Sequence, residues 1–397
     1  MQAIFNAILS FFTRMSIPEW ILLGTLTAAF TVQMVYYWGF YTGLSRYRRR
    51  VRRSKENFST QKPPVSVVIC SKNELDNLHD FLPSLLEQDY PEYEVVVVDD
   101  GSTDATADEL TRLKSLYPHL QTTFVPQEAK FINSKKFALT LGIKAAKHDL
   151  LLLTDADCRP VSKHWISAMV RNFTEGTDLV LGYSGYKREH TLLNCFISYD
   201  TMTIAMQYLN FALAGHPYMG VGRNMAYRRS LFVENKGFNS HLNVNSGDDD
   251  LFVNEAGTGR NTRIEASPLS FTESLPKTTW HDWFHQKRRH LTTASRYRSG
   301  SRWLLGCEYV SRAVFYIVLT ATLLQTGNPP LQLTAAAFGL IRWITQYAVI
   351  NYNAYALNER KYYFGLVLLD ILLPLIQIKL SLDPVFGKRS RKTTPWK

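Results

Sequence analysis

Cysteine is scarce and scattered. The chain of 397 residues carries Cys70, Cys158, Cys195 and Cys307, with no pairwise spacing for a zinc site or a disulfide framework. Free thiols in a reducing compartment follow from that pattern. No G-x-G-x-x-G turn follows the first strand-like run, which argues against a Rossmann dinucleotide fingerprint, and no G-x-x-x-x-G-K-[ST] loop occurs. A phosphate ligand would therefore need something other than a glycine nest. Internal repeats are absent by inspection. No small-residue cleavage site cleanly follows the first long apolar run, and that run is too long for the core of a signal peptide. Acid is short relative to base: 34 Asp and Glu against 45 Lys and Arg leave a net charge of +11. That balance suits nucleic acid or an anionic membrane surface. The base is concentrated at Arg46–Lys55 and Lys388–Lys397, beside apolar segments. This favours membrane anchoring over a nucleic-acid groove, and no specific nucleic-acid partner is expected.

What the chain has in quantity is apolar sequence, 46% of residues, placed mostly at its two ends. Met1–Met15 reads as an interfacial amphipathic stretch with Arg14 its one charge. Ile17–Leu44 holds only Glu19 as a charge and is long enough to cross a bilayer, which takes ~20 apolar residues. Tyr36, Tyr37, Trp38 and Tyr41 near its end read as an aromatic belt, and the arginines from Arg46 to Arg53 put that end in the cytoplasm. Leu304–Gly327 and Leu331–Ile350 form an apolar hairpin around Asn328, Pro329 and Pro330, with Glu308, Arg312 and Arg342 inside it. Charge at that depth should face a partner, a cavity or water. Phe364–Leu382 is a further apolar segment. If it also spanned, the basic tail would lie on the wrong side, so it is expected to lie in the interface or re-enter. The expected organisation is a membrane anchor over 1–60, a cytoplasmic α/β domain over 61–300 and a C-terminal membrane region over 301–397. The whole is an integral, multi-pass protein, of the inner membrane in a bacterium.

The middle alternates strand and helix. Val65–Cys70 and Glu94–Val98 are short β-branched runs, Thr122–Val125 is a weaker one, and helices follow over the leucines from Leu78 to Leu86 and over Ser134–Ala146. This order predicts a mostly parallel sheet covered on both faces, with ligands at the carboxyl ends of its strands. The second strand ends in Asp99 and Asp100 before a glycine turn. The run LLLLTDADC, Leu150–Cys158, predicts a buried strand whose Asp155 and Asp157 point the same way at i and i+2. Two carboxylates that close repel, and a divalent cation such as Mg²⁺ or Mn²⁺ relieves them. Leu179–Tyr186 reads as another strand, Thr191–Leu213 as an apolar helix with Asp200 its only acid, and Gly220–Ala226 as a glycine-rich turn. In Ser246–Phe252, Asp248, Asp249 and Asp250 stand beside apolar residues, a setting for a carboxylate of raised proton affinity. Trp280–His290 mixes aromatics with bases, as a lid over a polyanion or a nucleic-acid patch would.

Five of these motifs occur in order: VSVVICSKNE, VVVVDDGSTDAT, the Ser134-Lys135-Lys136 helix start, LLLLTDADC, and SGDDDLF followed by QKRRH. The set, over about Pro64–Tyr297, resembles glycosyltransferase family 2. These are inverting enzymes with a GT-A nucleotide-sugar fold, here flanked by helices as in the membrane-embedded polysaccharide synthases. The resemblance implies that Ser71, Glu74, Asp99, Asp100, Lys135 and Asp155 bind a nucleotide-diphospho-sugar, a UDP-sugar by analogy. It implies that Asp155 and Asp157 carry the metal. Asp249 would be the catalytic base, with Asp248 and Asp250 as rivals within the triple. Gln286, Arg289 and His290 would close over the diphosphate and the acceptor, with Gly222 and Asn224 on the acceptor side. The family's Q-x-x-R-W motif has a tryptophan where this chain has His290, a departure from the processive enzymes. The expected reaction is one in-line displacement on a sugar nucleotide by the hydroxyl of a glycan or lipid-linked acceptor. The alternatives are a processive synthase of the hyaluronan or poly-N-acetylglucosamine type, and a non-catalytic nucleotide-sensing membrane protein on a degenerate fold.

Overall fold

The computed structural model describes residues 15–125, 134–244, 246–325, 327–363 and 365–386. The amphipathic reading of the first residues and the basic tail at Lys388–Lys397 lie outside that range. The described residues open with α1 (Ile17–Met34), which passes through a wide π turn, Val35–Phe40, into α2 (Gly43–Arg52). The α/β region follows as β1 (Val65–Ser71), α3 (Leu75–Leu86), β2 (Tyr93–Asp99), α4 (Thr106–Leu116), β3 (Leu120–Phe124), α5 (Ser134–Ala145) and β4 (Leu150–Leu153). Then come β5 (Cys158–Pro160), α6 (Trp165–Val170), β6 (Leu179–Leu181), β7 (Ser184–Tyr186), α7 (Leu192–Leu213), β8 (Met225–Arg228) and α8 (Arg229–Glu234). It closes with α9 (Asp250–Ala256), β9 (Thr262–Ile264), β10 (Thr272–Ser274) and α10 (Trp280–Leu291). Three long helices end the chain: α11 (Ser299–Leu324), α12 (Pro329–Ala356) and α13 (Gly365–Phe386).

The main sheet has the order β3-β2-β1-β4-β8-β6-β9. Strands β1, β2, β3 and β4 are mutually parallel, and only β8 runs against its neighbours. All seven residues of β1 and all four of β4 are buried, as strands covered on both faces must be. One face packs Leu78, Leu82 and Leu85 of α3, which recur at helical spacing. The other packs Ala138 and Ile143 of α5 and the apolar side of α7. The stretch expected as one strand over Leu179–Tyr186 is two. β6 belongs to the main sheet, while β7 joins β10 and β5 in a second, three-stranded sheet. Gly182 and Tyr183 make the crossing: Gly182 leaves no room for a Cβ against the Asn224 amide.

Three helices are long and apolar enough to cross a membrane: Ile17–Arg52, Ser299–Leu324 and Pro329–Ala356. Their internal charges face one another. Arg312 pairs with Glu308 at 2.5 Å and with Asp370 of α13 at 3.2 Å. Arg342 reaches Asp370 at 3.1 Å and Gln33 of α1 at 3.0 Å. The aromatic belt is only partly one, because Tyr36, Tyr37 and Tyr41 are buried and Trp38 alone faces outward. The π turn rotates the three tyrosines into the junction with α7, where Tyr41 stacks on Phe211. That junction is also hydrogen-bonded. Asn210 of α7 accepts from Leu44 N at 2.6 Å and donates to Asn353 of α12 at 3.2 Å. The α/β region is thereby stitched to two of the long helices.

Candidate active site

Parallel strands end together, so their carboxyl ends gather loops on one edge of the sheet. Ser71 ends β1 and pairs in register with Asp99, the end of β2, while β4 leads into Asp155 on the other side of β1. Because β8 runs against β4, with Leu153 opposite Met225, the glycine-rich turn before β8 arrives at that same edge. The loop before α9 arrives there as well. Gly247 sits at φ +100, where a side chain is strained, and a Cβ would strike Leu251. That glycine is what lets the chain bend sharply into Asp248.

Asp155 and Asp157 stand on a turn after β4, not on an extended strand. Cys158 N–H donates to the Asp155 carbonyl at 3.1 Å and closes the turn as the chain leaves for β5 and the second sheet. Both carboxylates still line one cavity of about 1630 Å³. Burial, then the neighbouring Asp155, raises the proton affinity of Asp157, against the pull of Arg223. Two hard oxygen ligands that repel each other are the donor set a divalent cation takes. Among the described residues no cluster of three or more His, Cys, Asp or Glu side chains stands ready for a metal. The pair therefore fits an ion such as Mg²⁺, which binds through one or two carboxylates and completes its shell with water and substrate phosphate.

The three adjacent aspartates have three different surroundings. Asp248 pairs with Lys135 at 3.0 Å, and Lys135 also reaches Asp155 at 3.2 Å, so one ammonium bridges the turn and the α9 loop. Burial works against the ion in Asp248, but Lys135 outweighs it and the carboxyl is held below its ordinary range. Asp250 points away, accepting from Tyr297 Oη at 2.7 Å and from Thr293 Oγ1. Asp249 lies between them. It accepts from Gly222 N at 2.8 Å and from Asp250 N at 2.8 Å, and it caps α9. Burial first, then Asp248 and Asp250, push its carboxyl up to about 7, with Lys135 opposing.

From the far wall α10 contributes Gln286, Arg289 and His290. Gln286 lies 3.4 Å from Tyr186 Oη. Enclosure by the cavity wall, then Lys287, Arg289 and Arg223, keep His290 well below its ordinary range and hence neutral, although its ring still meets solvent.

Glu74 joins the cavity wall, while Asp99 and Asp100 stand behind it. Asp99 accepts from Ser102 N at 2.9 Å, and buried Asp100 lies 3.4 Å from Lys72. Ser71 is buried, and its hydroxyl has no hydrogen-bond partner. Gly222 acts through its N–H on Asp249. Asn224 is fully buried, donating to the Tyr183 and Ser270 carbonyls at 2.6 and 2.7 Å and accepting from Trp165 Nε1 at 3.0 Å. With its amide fully engaged it braces the wall from behind, rather than meeting an acceptor as the resemblance implied.

Sequence reasoning missed Arg223, which lies over the Tyr186 ring in the cavity with its Nη1 buried and unpartnered. It also missed Lys136, which donates to the His241 and Val244 carbonyls at 2.6 and 3.1 Å and holds the loop leading to Asp248. The adjacent lysines of the α5 start were the only signal for the latter.

Residues 66–235 match the family model of glycosyl transferase family 2. The chain is 25% identical over 277 residues to a probable glycosyltransferase, YdaM, of Bacillus subtilis (strain 168), covering 66% of this chain and 60% of that protein. It is 33% identical over 93 residues to a poly-beta-1,6-N-acetyl-D-glucosamine synthase of Staphylococcus epidermidis, covering 23% of this chain and 21% of that protein. The chain thus spans less than two thirds of the length of these relatives. Among solved structures it resembles the mannosyltransferase PcManGT from Pyrobaculum calidifontis in complex with GDP-Man and Mn²⁺. The TM-score is 0.58 at 21% identity, covering 94% of this chain and 99% of that one. The fold is GT-A, a mixed α/β fold with a mostly parallel sheet, and this chain adds three helices long and apolar enough to cross a membrane.

Proposed function

From residues 66–235 as a glycosyl transferase family 2 domain in a GT-A fold, we propose an inverting, metal-dependent glycosyltransferase. It moves one sugar from a nucleotide-diphospho-sugar to a hydroxyl of a glycan or lipid-linked acceptor. The basic run from Arg46 to Arg53 supports a reaction at the cytoplasmic face of the membrane. The observation that carries the reading is Asp249. Its carboxyl is pushed up to about 7, and it lines the same cavity as the Asp155–Asp157 turn. A base poised near the working pH is what deprotonating an alcohol requires.

In this mechanism Asp249 takes the acceptor's proton, and the freed oxygen attacks the anomeric carbon from the face opposite the nucleotide. The bond from that carbon to the diphosphate oxygen breaks, and the nucleoside diphosphate leaves. Arg223 and Arg289 neutralise the charge that grows on the leaving group. Lys135, held between Asp155 and Asp248, keeps the donor turn and the base loop in fixed register. Asp155 and Asp157 would hold a divalent cation, which supplies further charge neutralisation at the diphosphate. Neutral His290 offers the acceptor a hydrogen bond without adding a cation.

The test is nucleoside diphosphate release by the full chain in detergent with Mn²⁺, from a panel of UDP- and GDP-sugars. Release from one donor, lost in Asp157→Ala and in Asp249→Asn, is expected. A chain that binds no sugar nucleotide from the panel would overturn the proposal.

A further inference from the structure

Asp200 is the one acid of α7, and it takes no part in the mechanism above. On so apolar a helix a carboxylate belongs on a wet face, yet Asp200 is 2% exposed. Its partner is Lys287 of α10, whose ammonium meets the Asp200 carboxylate and which is itself 7% exposed. Gln377 of α13 reaches the other oxygen of that carboxylate at 3.4 Å. Side chains of three helices therefore converge on one carboxylate, and all three line the cavity that holds Asp155, Asp157 and Asp249.

The pair matters because α10 has little else to fix it. Trp283 and Lys287, one turn apart, are its two buried residues. Trp280, two turns before Lys287 on the same face, meets the Phe196 ring edge-on at 5.3 Å, and Phe196 lies one turn before Asp200 on α7. So α10 is pinned to α7 at two points, a ring contact and an ion pair. The apolar contact is not directional and lets the helix roll. The ion pair fixes its rotation. Gln286, Arg289 and His290 stand one residue before Lys287 and two and three after it, so the direction each takes follows from how Lys287 is seated. Stability alone does not account for the pair. Two charges taken out of water cost more than an apolar pair of the same volume, and the best-attested use of such a pair is to specify register. A direct part as a proton acceptor fits no better, since both oxygens of Asp200 are already met, by Lys287 and by Gln377.

We infer that Asp200 is a positioning residue for sugar transfer: through Lys287 it sets the rotation of α10 and so places Gln286, Arg289 and His290 over the cavity. The inference rests on the transferase reading above and adds to it a residue that acts through another.

The test compares the full-length parent in detergent with Asp200→Leu and with Asp200→Leu combined with Lys287→Met, using the donor that releases nucleoside diphosphate. Asp200→Leu strands a buried ammonium, so its unfolding midpoint and its kcat should both fall. The double variant buries no charge, and its midpoint should return to the parent's or pass it. Its kcat should nonetheless stay ~10–100-fold down, the scale of a displaced catalytic wall. Its donor KM, set on the Asp155–Asp157 side, should stay within about threefold. That split between stability and kcat is what a merely structural pair would not produce. A parental kcat in Asp200→Leu overturns the inference. So does a double variant whose kcat returns with its midpoint, or whose midpoint and kcat fall together. A second readout needs no turnover. Amide hydrogen exchange over 280–291 should quicken ~10-fold or more in the double variant while exchange over 65–71 holds, and unchanged exchange over 280–291 overturns the inference. Because exchange is read whether or not nucleoside diphosphate is released, failure of the pair is distinguishable from failure of the transferase reading.

Discussion

Asp249→Asn should inactivate the protein and stabilise it. In the fold Asp249 is packed between two further carboxylates, and its proton affinity rises from an ordinary carboxyl value to about 7. At ~1.36 kcal/mol per unit, a full shift of that size is worth about 4 kcal/mol. The side chain is partly open to the cavity, so about 2–3 kcal/mol is the better expectation. The sign follows from proton counting. Between pH ~4 and ~7 the folded chain keeps a proton that the unfolded chain has lost, so stability falls as pH rises through that window. Above ~7 the whole cost of the buried ion is present. Asparagine has no charge to bury, and its Oδ1 can still accept one of the N–H groups of Gly222 and Asp250 and cap α9. The variant's advantage in thermal unfolding should therefore be small near pH 4, reach about 1 kcal/mol at pH 5 and grow to about 2–3 kcal/mol by pH 8. Its turnover should fall ~10²–10⁴-fold. In the parent, kcat/KM should rise about tenfold between pH 6 and 7.5 and then level. Unfolding midpoints in detergent and nucleoside diphosphate release across pH 5–8 measure both arms. A variant no more stable than its parent at pH 8, with a parental rate flat from pH 6 to 8, would refute the argument.

Two further substitutions test the supports of the site. Asn224→Ala orphans the Trp165 N–H and the Ser270 carbonyl and leaves the Tyr183 carbonyl with Thr272 N–H alone, so it should cost about 2–3 kcal/mol without a specific rise in acceptor KM. A raised KM at unchanged unfolding midpoint would instead assign Asn224 to the acceptor. Asp370→Asn leaves Arg342 without its carboxylate and Arg312 with Glu308 alone. Breaking a buried charge cluster in this way should cost about 3–5 kcal/mol, and a midpoint within measurement error of the parent would contradict it.

The strands that carry the site were legible because each is a β-branched or leucine run buried on both faces, as β1 and β4 are. The second sheet was not legible. Its strands β5, β7 and β10 have three residues each, and β5 finds its partner β10 more than a hundred residues away. The position of Asp155 and Asp157 was readable but their geometry was not. Periodicity places side chains along a strand and cannot see a turn that forms because the chain must change sheets. The roles within Asp248, Asp249 and Asp250 were open for the same kind of reason. Three identical side chains are told apart only by what meets them: an ammonium from α5, a backbone N–H from the glycine turn, and a tyrosine before α11.

That tyrosine bears on how the site is assembled. The segment matching the family ends at residue 235, before the aspartate triple, the α10 wall and Tyr297. The candidate base therefore lies beyond that segment, and its helix is held both from the sheet side, by the Gly222 N–H and by Phe252 against Tyr227, and from the membrane side. Asp250 is anchored to Tyr297, two residues ahead of α11. Asn254 of α9 accepts from Arg298 N at 2.7 Å and donates to Ser301 Oγ, in the first turn of α11, at 3.1 Å. The donor turn hangs on β4, and the base loop is braced by the glycine turn on one side and by the start of α11 on the other, with Lys135 as the ionic tie between Asp155 and Asp248. The contacts of Tyr297, Arg298 and Ser301 thus brace the base loop from the membrane side, while Lys135 and Gly222 hold it in register with Asp155 and Asp157.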